Sequence, residues 1–189
     1  MCDTSELTTE HYKKALKMVK SVSKKEQKQL EVIVDERINA LPIDSLKKFL
    51  FSLKNQEFHL LPYRIYSRSD SEDENHFFTL RDIRQHSFTI YNKYAFATMF
   101  IFEMKDTQIQ PDPFIQVSIE RMYSSKAGSG AKLIQHLLRK AKQHNVTITL
   151  WTENEKLKKY FTHKGLEYQY KSITTGHYFL MTSLSDDNI

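Results

Sequence analysis

Two glycines carry the chemistry that this sequence most clearly announces. Only four glycines occur in 189 residues, and two of them fall in the run Ser124-Ser125-Lys126-Ala127-Gly128-Ser129-Gly130. That run lies between an alternating segment, Phe114 to Met122, and an amphipathic one beginning near Ala131. Strand, glycine turn and helix in that order can hold an anion. The first turn of a helix has backbone N–H groups with no internal acceptor, and the helix dipole favours negative charge there. Gly128 and Gly130 let the backbone approach a phosphate without an intervening side chain, and Lys126 adds a cation. A nucleotide P-loop is excluded, because Gly130 is followed by Ala131-Lys132-Leu133 rather than by Lys and a hydroxyl residue. A dinucleotide fingerprint needs three glycines early in a βαβ unit; here there are two, late in the chain.

The elements that must position this turn follow from periodicity. In Phe114–Met122, Ile115, Val117 and Ile119 face one way and Gln116, Ser118 and Glu120 the other, which predicts a strand. Leu133, Ile134, Leu137, Leu138 and Ala141 form the stripe of a helix ending near Asn145. Val146–Trp151 predicts a strand covered on both sides. Asn154 caps a short helix ending at Lys164, with Gly165 at a left-handed C′ position. Leu166–Ile173 and His177–Leu184 are strands joined at Thr174-Thr175-Gly176. Upstream, Phe58–Arg68, His76–Ile83, Phe88–Tyr91 and Tyr94–Met104 predict strands, the last two joined at Asn92-Lys93. Residues 67–75 and 107–113 predict a loop and a turn.

Residues 1–55 predict helices. Thr8 or Thr9 caps the first, Ser23-Lys24-Lys25-Glu26 forms a capping box for the second, and Pro42 separates it at Leu41 from a third stripe, Ile43, Leu46, Phe49, Leu50 and Leu53. Residues 56–184 form the sheet-containing domain and 185–189 a frayed tail. The 40% hydrophobic content, with 12 Phe and 10 Tyr, supplies a core. A net charge of +5 suits any anion, a phosphorylated cofactor as much as a nucleic acid. The basic helices near Lys13–Lys28 also carry Glu10 and Glu26 and show no recognition-helix motif, so nucleic acid is not the expected partner. Cys2 is the single cysteine and excludes an intrachain disulfide. No apolar run approaches the roughly 20 residues that cross a bilayer, so no membrane partner and a cytoplasmic location are expected. No metal-ligand spacing is visible.

The two signatures, Ser125–Ala131 and Asn154–Leu166, are together similar to those of the GNAT superfamily of acyl-coenzyme-A-dependent N-acetyltransferases. Its pyrophosphate turn reads Gln/Arg-x-x-Gly-x-Gly/Ala, matched by Ser125-Lys126-Ala127-Gly128-Ser129-Gly130. Its later run, Asn-x-x-Ala-x-x-Leu-Tyr-x-Lys-x-Gly-Phe, is matched by Asn154 to Leu166, with Asn154 and Gly165 in register. The resemblance covers Phe114–Leu166 well and Phe58–Leu184 loosely. It implies an α/β (α+β) fold with a mixed, strongly twisted sheet flanked by helices. It implies that the backbone of Ile119, Glu120, Arg121 and Met122 bonds the pantetheine arm of acetyl-CoA or another acyl-CoA. Lys126, Ala127, Gly128, Ser129, Gly130 and Ala131 would hold the pyrophosphate, and Asn154 and Phe161 would border the arm.

Three positions depart from the family pattern. Its leading Gln/Arg is Ser125 here. Its usual base positions fall on Gln116 and Phe114, leaving Glu120 as the nearest carboxylate and the expected base. Its thiolate-protonating Tyr falls on Phe161, with Tyr160 one residue earlier as the expected acid. His163 and His177 are further candidates. The implied activity is transfer of an acetyl group to an amine of a small molecule or protein. The alternative is a catalytically weak relative that binds acyl-CoA or a protein partner. The acidic run Asp70, Glu72, Asp73 and Glu74 is a solvated loop or a lip attracting a cationic amine. The N-terminal helices are either displaced acceptor-side helices or an appended module for docking a partner or forming a homodimer.

Overall fold

The computed structural model describes residues 9–62, 64–69, 76–81, 87–104 and 114–182. Cys2, the acidic run 70–74, the expected turn 107–113 and the tail 185–189 lie outside the described residues. In chain order the elements are α1 (Thr9–Asn39), α2 (Asp44–Leu53), β1 (His59–Leu61), β2 (Arg64–Ser69), β3 (His76–Arg81), β4 (Ser87–Tyr91), β5 (Ala95–Met104), β6 (Phe114–Ser124), α3 (Ser129–Gln143), β7 (Thr147–Thr152), α4 (Glu155–Thr162), β8 (Leu166–Lys171) and β9 (Tyr178–Thr182).

The fold is mixed α/β: a twisted seven-stranded sheet in the order β1-β4-β5-β6-β7-β9-β8, flanked by helices, with β2 and β3 forming a separate hairpin. Every neighbouring pair in the large sheet is antiparallel except β6 and β7. That pair needs a crossover, and α3 supplies it. The apolar stripe expected of α3 is buried at Leu133, Ile134, Leu137 and Ala141. β7 is buried along its length except at Trp151, as a strand covered on both faces must be.

Alternation along the strands divides the core in two. Ala95, Ala97, Met99 and Ile101 of β5 join Val117 and Ile119 of β6 in the main cluster, together with α2, α3 and the second half of α1. Phe96 points the other way and meets Ala15, Leu16 and Val19 from the first half of α1. One helix therefore serves both faces, and it carries a kink along its length. Glu26 has φ −132° and ψ 21°, outside the helical region. The sequence predicts two helices separated at Ser23; the break comes three residues later. α1 ends at Asn39 rather than Leu41, and α2 begins after Ile43 without a side-chain cap.

Two other expectations change. The single strand predicted for Phe58–Arg68 is two, β1 and β2, in different sheets. Pro62 lies between them; it has no N–H to continue a ladder. The β4–β5 turn lacks the Asn-Gly pair of a tight hairpin, and a side chain replaces it. Asn92 Oδ1 accepts the N–H groups of Tyr94 and Ala95, both at 2.8 Å, an Asx turn that pins the hairpin.

Candidate functional site

The site begins with an irregularity in β6. Met99 pairs with Ile119 but Thr98 pairs with Arg121, so Glu120 is an extra residue without an opposite number. A bulge of this kind bends its strand and increases the local twist. On its other side β6 is paired in parallel with β7 from Gln116–Thr147 to Ile119–Leu150. The pairing stops there, although β6 runs on to Ser124 and β7 to Thr152. The two strands part at the bulge.

A cleft of about 440 Å³ lies where they part. Ile119, Glu120, Arg121 and Met122 line it from β6, and Leu150, Trp151 and Thr152 from β7. The segment entering α4 adds Glu153, Asn154, Leu157 and Phe161; Tyr12 from α1 and His177 before β9 complete it. Asn154 acts as the predicted cap, its Oδ1 accepting the N–H groups of Lys156 at 2.8 Å and Leu157 at 3.3 Å. The cap fixes where α4 starts, and so where Leu157 and Phe161, one helical turn apart, meet the cleft.

The glycine turn stands at the end of β6. Ser125 anchors it, donating from its N–H (2.8 Å) and its hydroxyl (3.1 Å) to the carbonyl of Tyr94. Gly128 has φ +80° and forms the N-cap of α3, with open space where a Cβ would point. Gly130 serves a different purpose: a Cβ there would lie 3.2 Å from Ser124 Cβ, so its absence lets strand and helix meet closely. The amide of Gly130 donates to Ser124 Oγ at 3.1 Å, and that of Ser129 to the carbonyl of Lys126 at 3.1 Å. The amides of Ala127, Gly128 and Ala131 find no protein acceptor among the described residues. No acidic residue occupies the first turn of α3, so nothing there competes with an anion for the helix dipole. Cations gather beside it. The Lys126 ammonium is 4.8 Å from the Tyr94 ring centre and that of Lys93 is 5.2 Å away. A hydrogen bond from Lys93, then the charges of Lys93, Lys126 and Lys20, hold the Tyr94 phenol below its usual range.

The structure thus gathers Ile119, Glu120, Arg121, Met122, Asn154 and Phe161 in one cleft, with Lys126 to Ala131 at the end of β6. It does not bring Tyr160 there. α4 is regular, and Tyr160 packs half-buried against the main core, with the Lys164 ammonium 5.6 Å from its ring centre. Burial pushes its phenol pKa up. His163 is exposed at the end of α4, its Nδ1 2.7 Å from the carbonyl of Lys159, and is not part of the cleft. Tyr12, Trp151, Glu153 and Leu157 were not foreseen as site residues. The continuous apolar run of β7 hinted at Trp151; nothing in the sequence linked Tyr12 to a strand more than a hundred residues away.

No family model and no curated protein matches the sequence. Solved structures do resemble the fold. Naa50 of Arabidopsis thaliana, in complex with the bisubstrate analogue CoA-Ac-MVNAL, is 18% identical over 51% of this chain and 72% of its own, with a TM-score of 0.38. The NatC complex bound to Gag peptide and CoA is 12% identical over 52% of this chain and 71% of its own, at 0.39. A GNAT-family acetyltransferase from Listeria monocytogenes is 17% identical over 52% of this chain and 64% of its own, at 0.35. At such identities and scores these are likenesses of half a chain and define no shared activity. Among the described residues, no helix is long and apolar enough to cross a membrane, and no group of three His, Cys, Asp or Glu could hold a metal ion.

Proposed function

We propose that the cleft between β6 and β7 binds acetyl-CoA and that the protein is an N-acetyltransferase acting on an amine of a small molecule or protein. One observation carries this reading: two parallel strands part at Ile119–Leu150, beside a bulge, and a glycine turn with bare amides stands at the end of the longer one. Parted strands offer backbone groups to a thin, amide-bearing arm that can lie between them as an added strand. In this reading the backbone of Ile119–Met122 bonds the pantetheine amides. The amides of the turn, with Lys126, hold the pyrophosphate, and Asn154 and Phe161 border the arm.

Transfer requires a neutral amine at a fixed thioester carbonyl. The C–N bond forms, the C–S bond breaks, and the nitrogen loses a proton. Glu120, on the cleft wall at the bulge, takes that proton in this reading. The leaving thiolate takes one from solvent, because Phe161 stands where a tyrosine acid would be and Tyr160 turns away.

That same Phe161 favours a second reading, an acyl-CoA-binding protein with little transferase activity. Calorimetry with acetyl-CoA tests what the two share: saturable binding is expected, and Gly128→Asp should abolish it by bulk and charge. Absence of heat at millimolar acetyl-CoA rules out both. Thiol release across a panel of amines separates them. Glu120→Gln should spare affinity and lower turnover about 100-fold; unchanged turnover removes Glu120 from the mechanism.

A further inference from the structure

We infer that His177, with Glu153 beside it, takes the first proton from the incoming ammonium, so that two bases, His177 and Glu120, line one cleft; this rests on the transferase reading above. An aliphatic amine resembling a lysine side chain has a pKa of about 10.4 and arrives protonated. Two protons must leave its nitrogen on the way to an amide, one before attack and one after. An exposed carboxylate is poorly matched to the first task. An imidazole, with an ordinary pKa of about 6.5, is better matched near neutral pH.

The geometry supplies such an imidazole. His177 lines the same cleft as Glu120, and its Nε2 is 3.5 Å from Glu153 Oε2. In the tautomer with its hydrogen on Nε2, the nitrogen nearer the carboxylate, Nδ1 keeps its lone pair for a proton. Both partners spring from fixed backbone. Glu153 immediately precedes the cap Asn154. His177 ends a connection closed by its own hydrogen bonds: Ser172 N–H to the His177 carbonyl (2.8 Å), Gly176 N–H to the Ser172 carbonyl (2.9 Å), Thr175 N–H to Ser172 Oγ (3.2 Å) and His177 N–H to Thr175 Oγ1 (3.3 Å). Gly176, at φ +72°, permits the turn. The His177 side chain is 41% exposed, so the proton can pass on to water.

The other ionisable groups facing the cleft are Glu120 and Arg121 from β6 and Tyr12 from α1. The protons balance. His177 removes one from the ammonium, and the neutral nitrogen forms the C–N bond as the C–S bond breaks. Glu120 takes the second proton, and the thiolate gains one from solvent. His177 and Glu120 then release theirs, so one proton leaves per amide made.

The test is the pH profile of kcat/KM for wild type, His177→Gln and Glu153→Gln, with acetyl-CoA affinity measured beside it. His177→Gln should lower kcat/KM at pH 7 about 100-fold, remove the acidic limb that His177 gives the wild type, regain activity with added imidazole, and leave acetyl-CoA affinity unchanged. Glu153→Gln should lower kcat/KM in the same direction, and less than His177→Gln does. A His177→Gln profile that keeps the wild-type limb overturns the inference, as does a Glu153→Gln variant with the kcat/KM of wild type. Wild-type protein that binds acetyl-CoA yet releases no thiol with any amine overturns it too. Absence of acetyl-CoA binding instead brings down the cleft reading itself.

Discussion

The two halves of β6 have very different surroundings. From Gln116 to Ile119 the strand is paired on both sides, with β5 and β7, and Val117 is fully buried. Beyond the bulge, from Arg121 to Ser124, it keeps β5 but parts from β7, and its side chains line a cleft or lead to the glycine turn. One extra residue separates the two regimes. The site is therefore a planned interruption of sheet pairing, and the fully paired half is what holds it open. Rigidity and access are supplied by adjoining segments of one strand, so substitutions in the two halves should fail in different ways.

The largest difference should come from truncating each side. Ile148 in β7 is fully buried opposite Val117. Ile148→Ala removes packing from the closed seam and should cost about 2–5 kcal/mol in urea unfolding. Met122 lies beyond the parting and is only partly buried. Met122→Ala should cost clearly less, yet weaken acetyl-CoA binding, which Ile148→Ala should leave intact in the folded fraction. Equal stability losses would erase the contrast between closed and open halves.

The turn sharpens the comparison at smaller scale. Gly128→Ala forces a side chain into φ +80° and should cost about 1–2 kcal/mol. Gly130 has no positive φ, so Gly130→Ala should cost less. Its Cβ would displace Ser124 by a few tenths of an ångström and disturb the Ser124–Gly130 hydrogen bond. On the far wall, Asn154→Ala removes the α4 cap and should cost about 1 kcal/mol. Thermal unfolding of the three variants orders them; a Gly130→Ala loss larger than that of Gly128→Ala would mean that close packing, and not backbone conformation, dominates this turn.

The chain from β6 to β9 was legible because its signals are local. The 3.6-residue stripe of α3, the Asn154 cap and the glycine at Gly165 each act within a few residues of where they stand, and Gly165 does adopt φ +104°. The bulge was not legible. Gln116, Ser118 and Glu120 alternate smoothly in sequence, and nothing marks Glu120 as the residue that β5 leaves unopposed. The division of Phe58–Arg68 was missed because Leu, Tyr and Ile suit either of two strands, and only Pro62 signals the break. The kink in α1 fell close to the expected capping box, but that one helix serves both faces of the sheet depends on the sheet edge it passes. Tyr12 joined the site by tertiary packing alone, which no spacing within the chain records. His177 stands alone in the sequence, and only the fold sets a carboxylate beside it.

The smallest predicted effect concerns the structure behind the cleft. His136, on α3, is buried against α2: its Nε2 is 3.0 Å from the carbonyl of Leu53, and its ring stacks on Phe58 at 4.6 Å. A carbonyl can only accept, so Nε2 carries the hydrogen. The Arg139 guanidinium can only donate, and it lies 3.3 Å from Nδ1, so Nδ1 carries the lone pair. The neutral ring satisfies both partners, whereas protonation would set an N–H against a guanidinium. Burial, and then the charges of Arg139 and Lys140, hold the His136 pKa below its ordinary value; the Leu53 carbonyl and Glu57 act in the opposite sense. Because the folded pKa lies below the unfolded one, the unfolded chain binds the proton first. The contribution of His136 is fully present above about pH 6.5 and is lost as pH falls toward the folded value. Urea midpoints at pH 7 and pH 5 should therefore converge in His136→Gln, whose amide can donate to Leu53 without titrating, relative to wild type. An equal acid-induced loss in both proteins would place the pH sensitivity elsewhere, and would leave the α2–α3 contact indifferent to the protonation of the ring it encloses.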